Sequence, residues 1–391
     1  NGYHLNRSIF DADLLKECAS HGVTVFRPME LSDARFEKDK CSLDITYNGD
    51  SLNIESSWFL DASGKFRYAK KHFGWEDQKI ELNTGAVAAH FTNLTPNLEW
   101  DREGTAYWEK NAIGPESYST THFLKPHSWW WLIKVDEQTT SIGVVFDKNK
   151  ITVNDAESYF DNTIQEDKLL AEITKNADRS KVKFLDNLPY ISSKLYHNNV
   201  ALVGDAGAFI DPLFSPGVEL ISQQNEYLVS LLLDYFNAGT KDVKQWNKYE
   251  NKFLKTYHDR AFVYTRMYNY MESYDLFSNA TQLLFFGYQS FTVLPLKYFP
   301  KRMKKPLKFY SLDRWAIKML FNRYDKILAK RKKNNRISTS LKKPISYSTV
   351  RIPDGPFYII KPLQLYLLWL VNYIKIEITE LQNVFKFNKT K

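Results

Sequence analysis

Apolar residues at Phe10, Leu14, Leu15 and Ala19 recur at helical spacing, and His21-Gly22 ends the run, so residues 10–19 predict an amphipathic helix. Residues 23–26 predict a short strand. Apolar and polar positions alternate over residues 40–47 and 52–59, and Asn48-Gly49-Asp50 between them predicts a hairpin. Residues 87–146 are dense in β-formers and aromatics, among them His90-Phe91, Tyr107-Trp108, His122-Phe123 and Trp129-Trp130-Trp131. With Pro96, Pro115 and Pro126 at its turns, this stretch predicts an antiparallel sheet. Residues 152–176 predict one polar amphipathic helix with Asn154-Asp155 at its N-cap, and residues 253–324 read as mostly helical.

Residues 200–220, VALVGDAGAFIDPLFSPGVEL, combine several signals. A buried strand over 200–203 ends in Gly204-Asp205. A loop through Asp211-Pro212 and Ser215-Pro216-Gly217 then feeds a helix reaching about Phe236. Asp205 is suited to accept hydrogen bonds from sugar hydroxyls. Gly204 and Gly207 let backbone approach closely. The helix after Gly217 offers free N–H groups and a positive dipole end. Such a constellation suits a large polar cofactor.

Composition adds few constraints. A chain of 391 residues, 43% apolar and 25% charged, can bury one or two cores, and 15% aromatic content suits planar ligands. Cys18 and Cys41 make no disulfide framework, which predicts a reducing, cytoplasmic compartment. No signal-peptide pattern is found. The apolar run 363–374, broken by Gln364 and Asn372, is shorter than the roughly 20 residues a spanning helix needs. His4, His72, His90, His122 and His127 lack metal-ligand spacing, so no metal is expected. Ser215 has no partner at a spacing that suggests a triad.

Gly204-Asp205-Ala206-x-x-Phe209-x-Asp211-Pro212-x-x-Ser215-x-Gly217 resembles the second flavin-binding motif of FAD-dependent monooxygenases. Its Asp-Pro-Leu-Phe-Ser-Pro-Gly wording is similar to that of flavin-dependent halogenases. Trp58-Phe59-Leu60-Asp61-Ala62-Ser63-Gly64 resembles the family's strand beneath the cofactor, and Tyr3-x-x-x-Arg7-x-x-Phe10-Asp11-x-x-Leu14-Leu15 its second segment. No Gly-x-Gly-x-x-Gly occurs, so the chain is expected to be N-terminally truncated, lacking the first βαβ unit. A diverged protein without the dinucleotide site is the alternative. The resemblance implies FAD as cofactor, bound through Arg7, Asp61, Gly64, Gly204, Asp205, Pro212 and Gly217. The family's catalytic lysine lies upstream of Tyr3, and no residue here is assigned to it.

Trp129-x-Trp131-x-Ile133 resembles the halogenases' Trp-x-Trp-x-Ile-Pro stretch, with Lys134 in place of Pro. Alternation puts the three side chains on one strand face. The resemblance implies that Trp129 and Trp131 shield the flavin, so that halide rather than substrate is oxidised. Tryptophan halogenases carry Glu where Phe214 stands; the phenol and pyrrole branches, which commonly carry an aromatic there, are more similar. The resemblance implies that backbone amides of this turn hold chloride or bromide; Pro216 has no N–H, which removes one donor, leaves the Gly217 and Val218 amides to serve, and favours the alternative without a halide step.

The expected fold is an α/β, Rossmann-like FAD/NAD(P)-binding flavoprotein lacking its first βαβ unit, with an antiparallel β substrate domain and a helical C-terminal region. The expected boundaries are 1–86 and 181–240 for the FAD-binding domain, 87–180 for the β-rich domain and 241–391 for the helical basic region. The expected reaction is FAD-dependent halogenation of a phenol or pyrrole, with FADH2 from a separate flavin reductase, oxygen and halide. The alternatives are a monooxygenase or geranylgeranyl-reductase-like oxidoreductase without halide chemistry, and a non-catalytic binding relative. Residues 301–343 hold sixteen Lys or Arg against two acids, Asp313 and Asp325. Three readings compete for them: a solvated helical face, a landing surface for an acidic acyl carrier protein bearing the substrate, and contact with an anionic membrane. Nucleic acid is not expected, since no motif accompanies the charge.

Overall fold

The computed structural model describes residues 5–95, 120–288, 290, 313–337 and 361–389. The chain divides into two units, residues 1–82 with 188–262, and residues 83–187 with 263–391. The helix Val243–Tyr270 contributes to the first through Phe262 and to the second from Val263.

In the first unit, Asn6 caps the helix Arg7–Ser20 through a side-chain acceptor for the Ser8 amide. Gly22, at φ +85°, follows its end. The helix buries none of its residues, so its apolar spacing does not mark a core face here. Residues 23–26 are irregular rather than a strand, and Phe26 instead packs edge-on against Tyr47 at 5.2 Å. The Asn48-Gly49 hairpin forms, with both residues at positive φ and Tyr47 opposite Asp50. Its strands, Cys41–Tyr47 and Asp50–Ser56, are joined by Glu30–Phe36, whose weak alternation concealed it. The second hairpin strand stops at Ser56 rather than running to Phe59. Phe59 begins a separate strand, Phe59–Asp61, which pairs parallel with Val200–Leu202, and Tyr196–His197 flanks the latter. The helix Gly217–Ala238 buries Leu220, Gln224, Leu228 and Leu231 and ends on Gly239, at φ +69°.

The second unit is built on an antiparallel sheet of Lys183–Leu185, Thr84–Thr92, Thr140–Asp147, Ser128–Lys134 and Thr121–Lys125 in that order, with Asp178–Arg179 also on Thr84–Thr92. Pro126-His127 forms the predicted turn between the last two. Pro96, Tyr107-Trp108 and Pro115 lie outside the described residues. The expected single helix over 152–176 is two, Ala156–Gln165 and Lys168–Thr174. Asp155 caps the first through the Ser158 amide. Asp167 accepts from Leu169 and Leu170 N–H, so the chain restarts where the single-helix reading expected continuation. Both helices pack on Val87, Phe91, Trp130, Ile142, Val144 and Phe146. The helices Tyr274–Tyr288, Asp313–Lys333 and Lys361–Lys389 belong to the same unit.

Candidate cofactor site

Two parallel strands end side by side in the first unit, and each ends in the same way. After Asp61 the chain turns through Gly64, at φ +59°, into a 3-10 helix, Gly64–Phe66. After Leu202 it turns through Gly204, at φ +56°, into another, Gly204–Ala206. The two turns contact each other, and the Val203 amide donates to the Asp61 carbonyl at 2.9 Å. The carboxyl ends of adjacent parallel strands are where open α/β sheets bind ligands. Left-handed backbone at Gly64 and Gly204 carries little strain only because both are glycine.

Side chains fix the turns. Asp61 is buried, and its carboxylate accepts from the Ser63 amide at 2.9 Å and the Ala69 amide at 2.7 Å. Its side chain thus shapes the first turn. Gln224 does the equivalent for the second. Its Oε1 accepts from the Gly204 amide at 2.8 Å, and its Nε2 donates to the Leu202 carbonyl at 3.1 Å and to the Tyr249 hydroxyl at 2.7 Å. Arg67 joins the two turns. It pairs bidentately with Asp77, donates to the Ala206 carbonyl at 3.4 Å, and lies 4.2 Å over the Tyr190 ring. Burial acts against the Asp77 charge, yet the Arg67 guanidinium and Lys70 hold its carboxyl below the usual range. The motif reading missed Arg67, Gln224 and Tyr190. Gln224 leaves a legible trace, because it interrupts the apolar spacing of Leu220, Leu228 and Leu231 on a buried helix face.

Asp205 sits at the tip of the second turn, half-buried. Its carbonyl accepts from the Tyr190 hydroxyl at 2.7 Å, but none of the described side chains donates to its carboxylate. Burial raises the Asp205 carboxyl above the ordinary value, opposed by the fields of Lys65 and Arg7. Arg7, at the start of its helix, is largely exposed and is held by Asp11 at 2.8 and 2.9 Å. Lys65 lies 5.5 Å from the Phe209 ring centre. This arrangement fits a dinucleotide with hydroxylated and anionic parts. Asp205 has open acceptor capacity, and cations stand near it. A Cβ built on Gly64 would meet nothing within 4 Å, so the first turn's backbone is bare. A Cβ at Gly204 would approach Ile221 at 3.0 Å, which keeps that turn seated on the helix Gly217–Ala238.

The loop between Asp211 and Gly217 is bent tightly. Asp211 is buried and accepts from the Leu213 amide at 2.9 Å, and the Ser215 amide donates to the Pro212 carbonyl at 2.8 Å. Phe214 and Ser215 are consecutive left-handed residues, φ +64° and +52°, a conformation that costs of order 1–3 kcal/mol per non-glycine residue. Gly217 opens the helix, with Pro216 at the cap and no side-chain cap bond; a Cβ on Gly217 would meet nothing within 4 Å, and Val218 is exposed.

In the second unit, the strand Ser128–Lys134 alternates as expected. Trp130 turns to the core, 5.4 Å from Phe160. Trp129 and Trp131 share the other face, 6.0 Å apart. Trp129 Nε1 donates to the Tyr268 hydroxyl at 2.8 Å, and Trp131 Nε1 to Ser141 Oγ at 3.1 Å. His122 packs edge-on against Trp129 at 5.0 Å. Gly143 lies opposite Trp131, where any Cβ would collide with the indole, so this glycine makes room for the ring. No group of side chains suited to hold a metal ion occurs among the described residues.

The tryptophan halogenase family model matches residues 1–275, and the chain belongs to that family. It is 26% identical to the 1H-pyrrole-2-carbonyl-(peptidyl-carrier protein) chlorinase of Pseudomonas fluorescens, over 56% of this chain and 47% of that protein. It is 27% identical to the tryptophan 2-halogenase of Chondromyces crocatus, over 65% of this chain and 48% of that protein. The chain thus spans about half the length of the curated relatives it matches. Among solved structures, halogenase PltM, in a complex with phloroglucinol and FAD, superposes with TM-score 0.69 at 17% identity, covering 84% of this chain and 69% of PltM. The flavin-dependent brominase Bmp2 gives 0.60 at 19%, covering 82% of this chain and 75% of Bmp2. The fold is that of the flavin-dependent halogenases, an α/β flavoprotein with antiparallel sheets and helices toward the C-terminus.

Proposed function

We propose that the protein to which this chain belongs is an FAD-dependent halogenase of an electron-rich aromatic, a phenol or pyrrole. The carrying observation is the pair of glycine turns at the ends of two parallel strands, with the Asp205 carboxylate open to hydroxyl donors beside Arg7 and Lys65. When bound, reduced FAD supplies two electrons, so that FADH2, O2, halide and a proton give FAD, hypohalous acid and water. The halogen then replaces an aromatic hydrogen, with release of water.

Asp205 accepts hydrogen bonds from the cofactor's hydroxyl chain. The bare backbone at Gly64 and the cations Arg7 and Lys65 face its anionic part, with Asp61 and Pro212 shaping the two turns. The Gly217 and Val218 amides, unpartnered within their own helix by their position in its first turn, hold halide. Trp129 and Trp131 exclude water and substrate from the flavin. Phe214, standing where tryptophan halogenases carry Glu, supports a phenol or pyrrole, which is activated toward electrophiles without such help. A carrier-bound substrate is supported by the pyrrolyl-carrier chlorinase among the relatives and by the basic residues 301–343. Reduced flavin comes from a separate reductase. The two free cysteines support a reducing, cytoplasmic setting.

The test supplies FADH2, oxygen and bromide or chloride to the full-length protein, with free and carrier-bound phenols and pyrroles. Halogenated product is expected. Hydroxylated product without halogen would assign a monooxygenase instead, and alkene reduction a reductase. Asp205→Ala is expected to weaken FAD retention by about tenfold or more, as befits loss of a charged acceptor. Unchanged flavin content after purification would remove Asp205 from the site.

A further inference from the structure

The helix Lys361–Lys389 is two-faced in an unusual sense. One face is buried: Leu365, Trp369, Ile376 and Glu380 point inward, and the Trp369 carbonyl accepts from Asn279 of the helix Tyr274–Tyr288 at 3.0 Å. On the opposite face Leu363, Leu367, Val371, Ile374, Ile378 and Leu381 are all exposed, each by 46–57% of its surface. From Leu367 onward these residues recur at alternating steps of four and three, which makes one continuous apolar stripe. Scattered exposed apolar residues need no explanation, but an aligned row of six large aliphatics does.

The charges along the helix are sorted. Its two carboxylates are both drawn away from the stripe into arginine pairs. Glu377 is held bidentately by Arg323, and buried Glu380 accepts from Arg331 Nε at 2.8 Å. Among the described residues, the charged side chain exposed beside the stripe is Lys375. In the same unit the helix Asp313–Lys333 exposes Lys326 and Lys333, while Arg331 is buried and Lys332 pairs with Glu272; in sequence, residues 301–343 carry sixteen basic residues against two acids. An apolar stripe free of exposed carboxylates and accompanied by cations complements an anionic, apolar-cored surface. No helix among the described residues is long and apolar enough to cross a membrane. Pairing with a second copy is disfavoured by the flanks. A coiled-coil seam needs opposite charges alongside it, and here the flanking Glu377 is already committed to Arg323.

We propose that this face is a membrane-docking surface: the helix Lys361–Lys389 lies in the headgroup plane of an anionic bilayer, with Leu367, Val371, Ile374, Ile378 and Leu381 toward the acyl chains and Lys375 beside the headgroups. The inference is independent of the halogenase reading.

Co-sedimentation of the whole protein with vesicles of phosphatidylcholine alone, and of phosphatidylcholine with phosphatidylglycerol, tests it. Binding to the anionic vesicles is expected to exceed binding to the neutral ones by about tenfold and to weaken as salt rises. Leu367→Gln/Ile374→Gln/Ile378→Gln replaces exposed residues only. It should keep the far-UV spectrum and lose anionic-vesicle binding by about tenfold or more. Lys375→Glu, a second variant in which no apolar group is lost, should weaken binding in the same direction and by less. Three results would overturn the proposal. The wild type could stay in the supernatant with anionic vesicles. The folded triple variant could bind as the wild type does. Or sedimentation velocity could show a dimer that the triple variant dissociates, which would assign the stripe to a second copy.

Discussion

The two units solve the polar-backbone problem in opposite ways. The second closes most of its groups, although Trp130 Nε1, His127 Nδ1 and Glu380 Oε2 are buried without a hydrogen bond among the described residues. Its sheet is long and continuously paired, its core is aromatic, and even its buried charges are matched: Arg331 reaches Ser273, Asp275 and Glu380 with bonds of 2.7–2.9 Å. The first leaves groups open. Its parallel pair is three residues long, the first strand end turns on bare glycine backbone at Gly64, and the Asp205 carboxylate has no side-chain donor among the described residues. A region that keeps its hydrogen-bonding capacity open is organised for a ligand, whereas one that satisfies itself is organised to stand.

Arg331→Met gives the largest effect that would sharpen this contrast. Removing the arginine of a buried ionic cluster leaves Asp275 without its partner and Glu380 with Lys330 at 3.8 Å, and urea denaturation should show a loss of about 3–5 kcal/mol. A loss under about 1 kcal/mol would mean that the second unit's charges are not the closed system described.

Gln224→Leu comes next, in the first unit. Three buried groups lose a partner, so a loss of about 2–3 kcal/mol is expected by the same measurement, together with weaker flavin binding although Gln224 is turned to the backbone. Full flavin affinity at reduced stability would separate the turn's geometry from cofactor binding.

Gly143→Ala should cost about 1–2 kcal/mol, because the new methyl group overpacks against Trp131 and Ala88. A shift in indole emission should accompany the loss. Unchanged emission would show that Trp131 does not lie over Gly143.

The smallest expected effect has the opposite sign. Burial raises the Asp205 pKa in the folded chain, so between the ordinary carboxyl range and that raised value the folded state binds more protons than the unfolded one. Stability associated with this group therefore falls as pH rises through the window. Asp205→Asn should raise the melting temperature of the flavin-free protein at pH 7, with the advantage disappearing at about pH 3, below the ordinary carboxyl range, where Asp205 is protonated in both states. Melting curves at the two pH values decide it. A destabilised Asn variant at neutral pH would mean that Arg7 and Lys65 outweigh burial.

Much of this was legible in residue order, for identifiable reasons. Asn48-Gly49 specifies its hairpin because both residues tolerate positive φ, and Gly204-Asp205 and Gly64 mark strand ends where only glycine turns without strain. Trp129 and Trp131 fall on one face because strand alternation requires it. What escaped was set by contacts distant in sequence. The strand Glu30–Phe36 is called into the sheet by Cys41–Tyr47 rather than by its own weak pattern. Phe59–Asp61 separates from the hairpin because its partner is Val200–Leu202. Arg67 gains its role from Asp77, Tyr190 and Ala206, the last 139 residues away. The second helix at Lys168–Thr174 depends on a capping aspartate inside what periodicity read as one element.

The pairing of Phe59–Asp61 with Val200–Leu202 also sets a timetable. The segment that completes the first unit emerges only after residues 83–187 have been synthesised, and the parallel ladder must close a loop that Asn199 and Ser57 span across 142 residues. Non-local pairing of this kind is entropically slow, whereas the sheet of residues 84–147 is made largely of neighbouring strands that can pair as they appear. The antiparallel sheet can therefore begin to pair early in synthesis, whereas the two cofactor-type turns cannot meet until the chain has returned at Val200–Leu202.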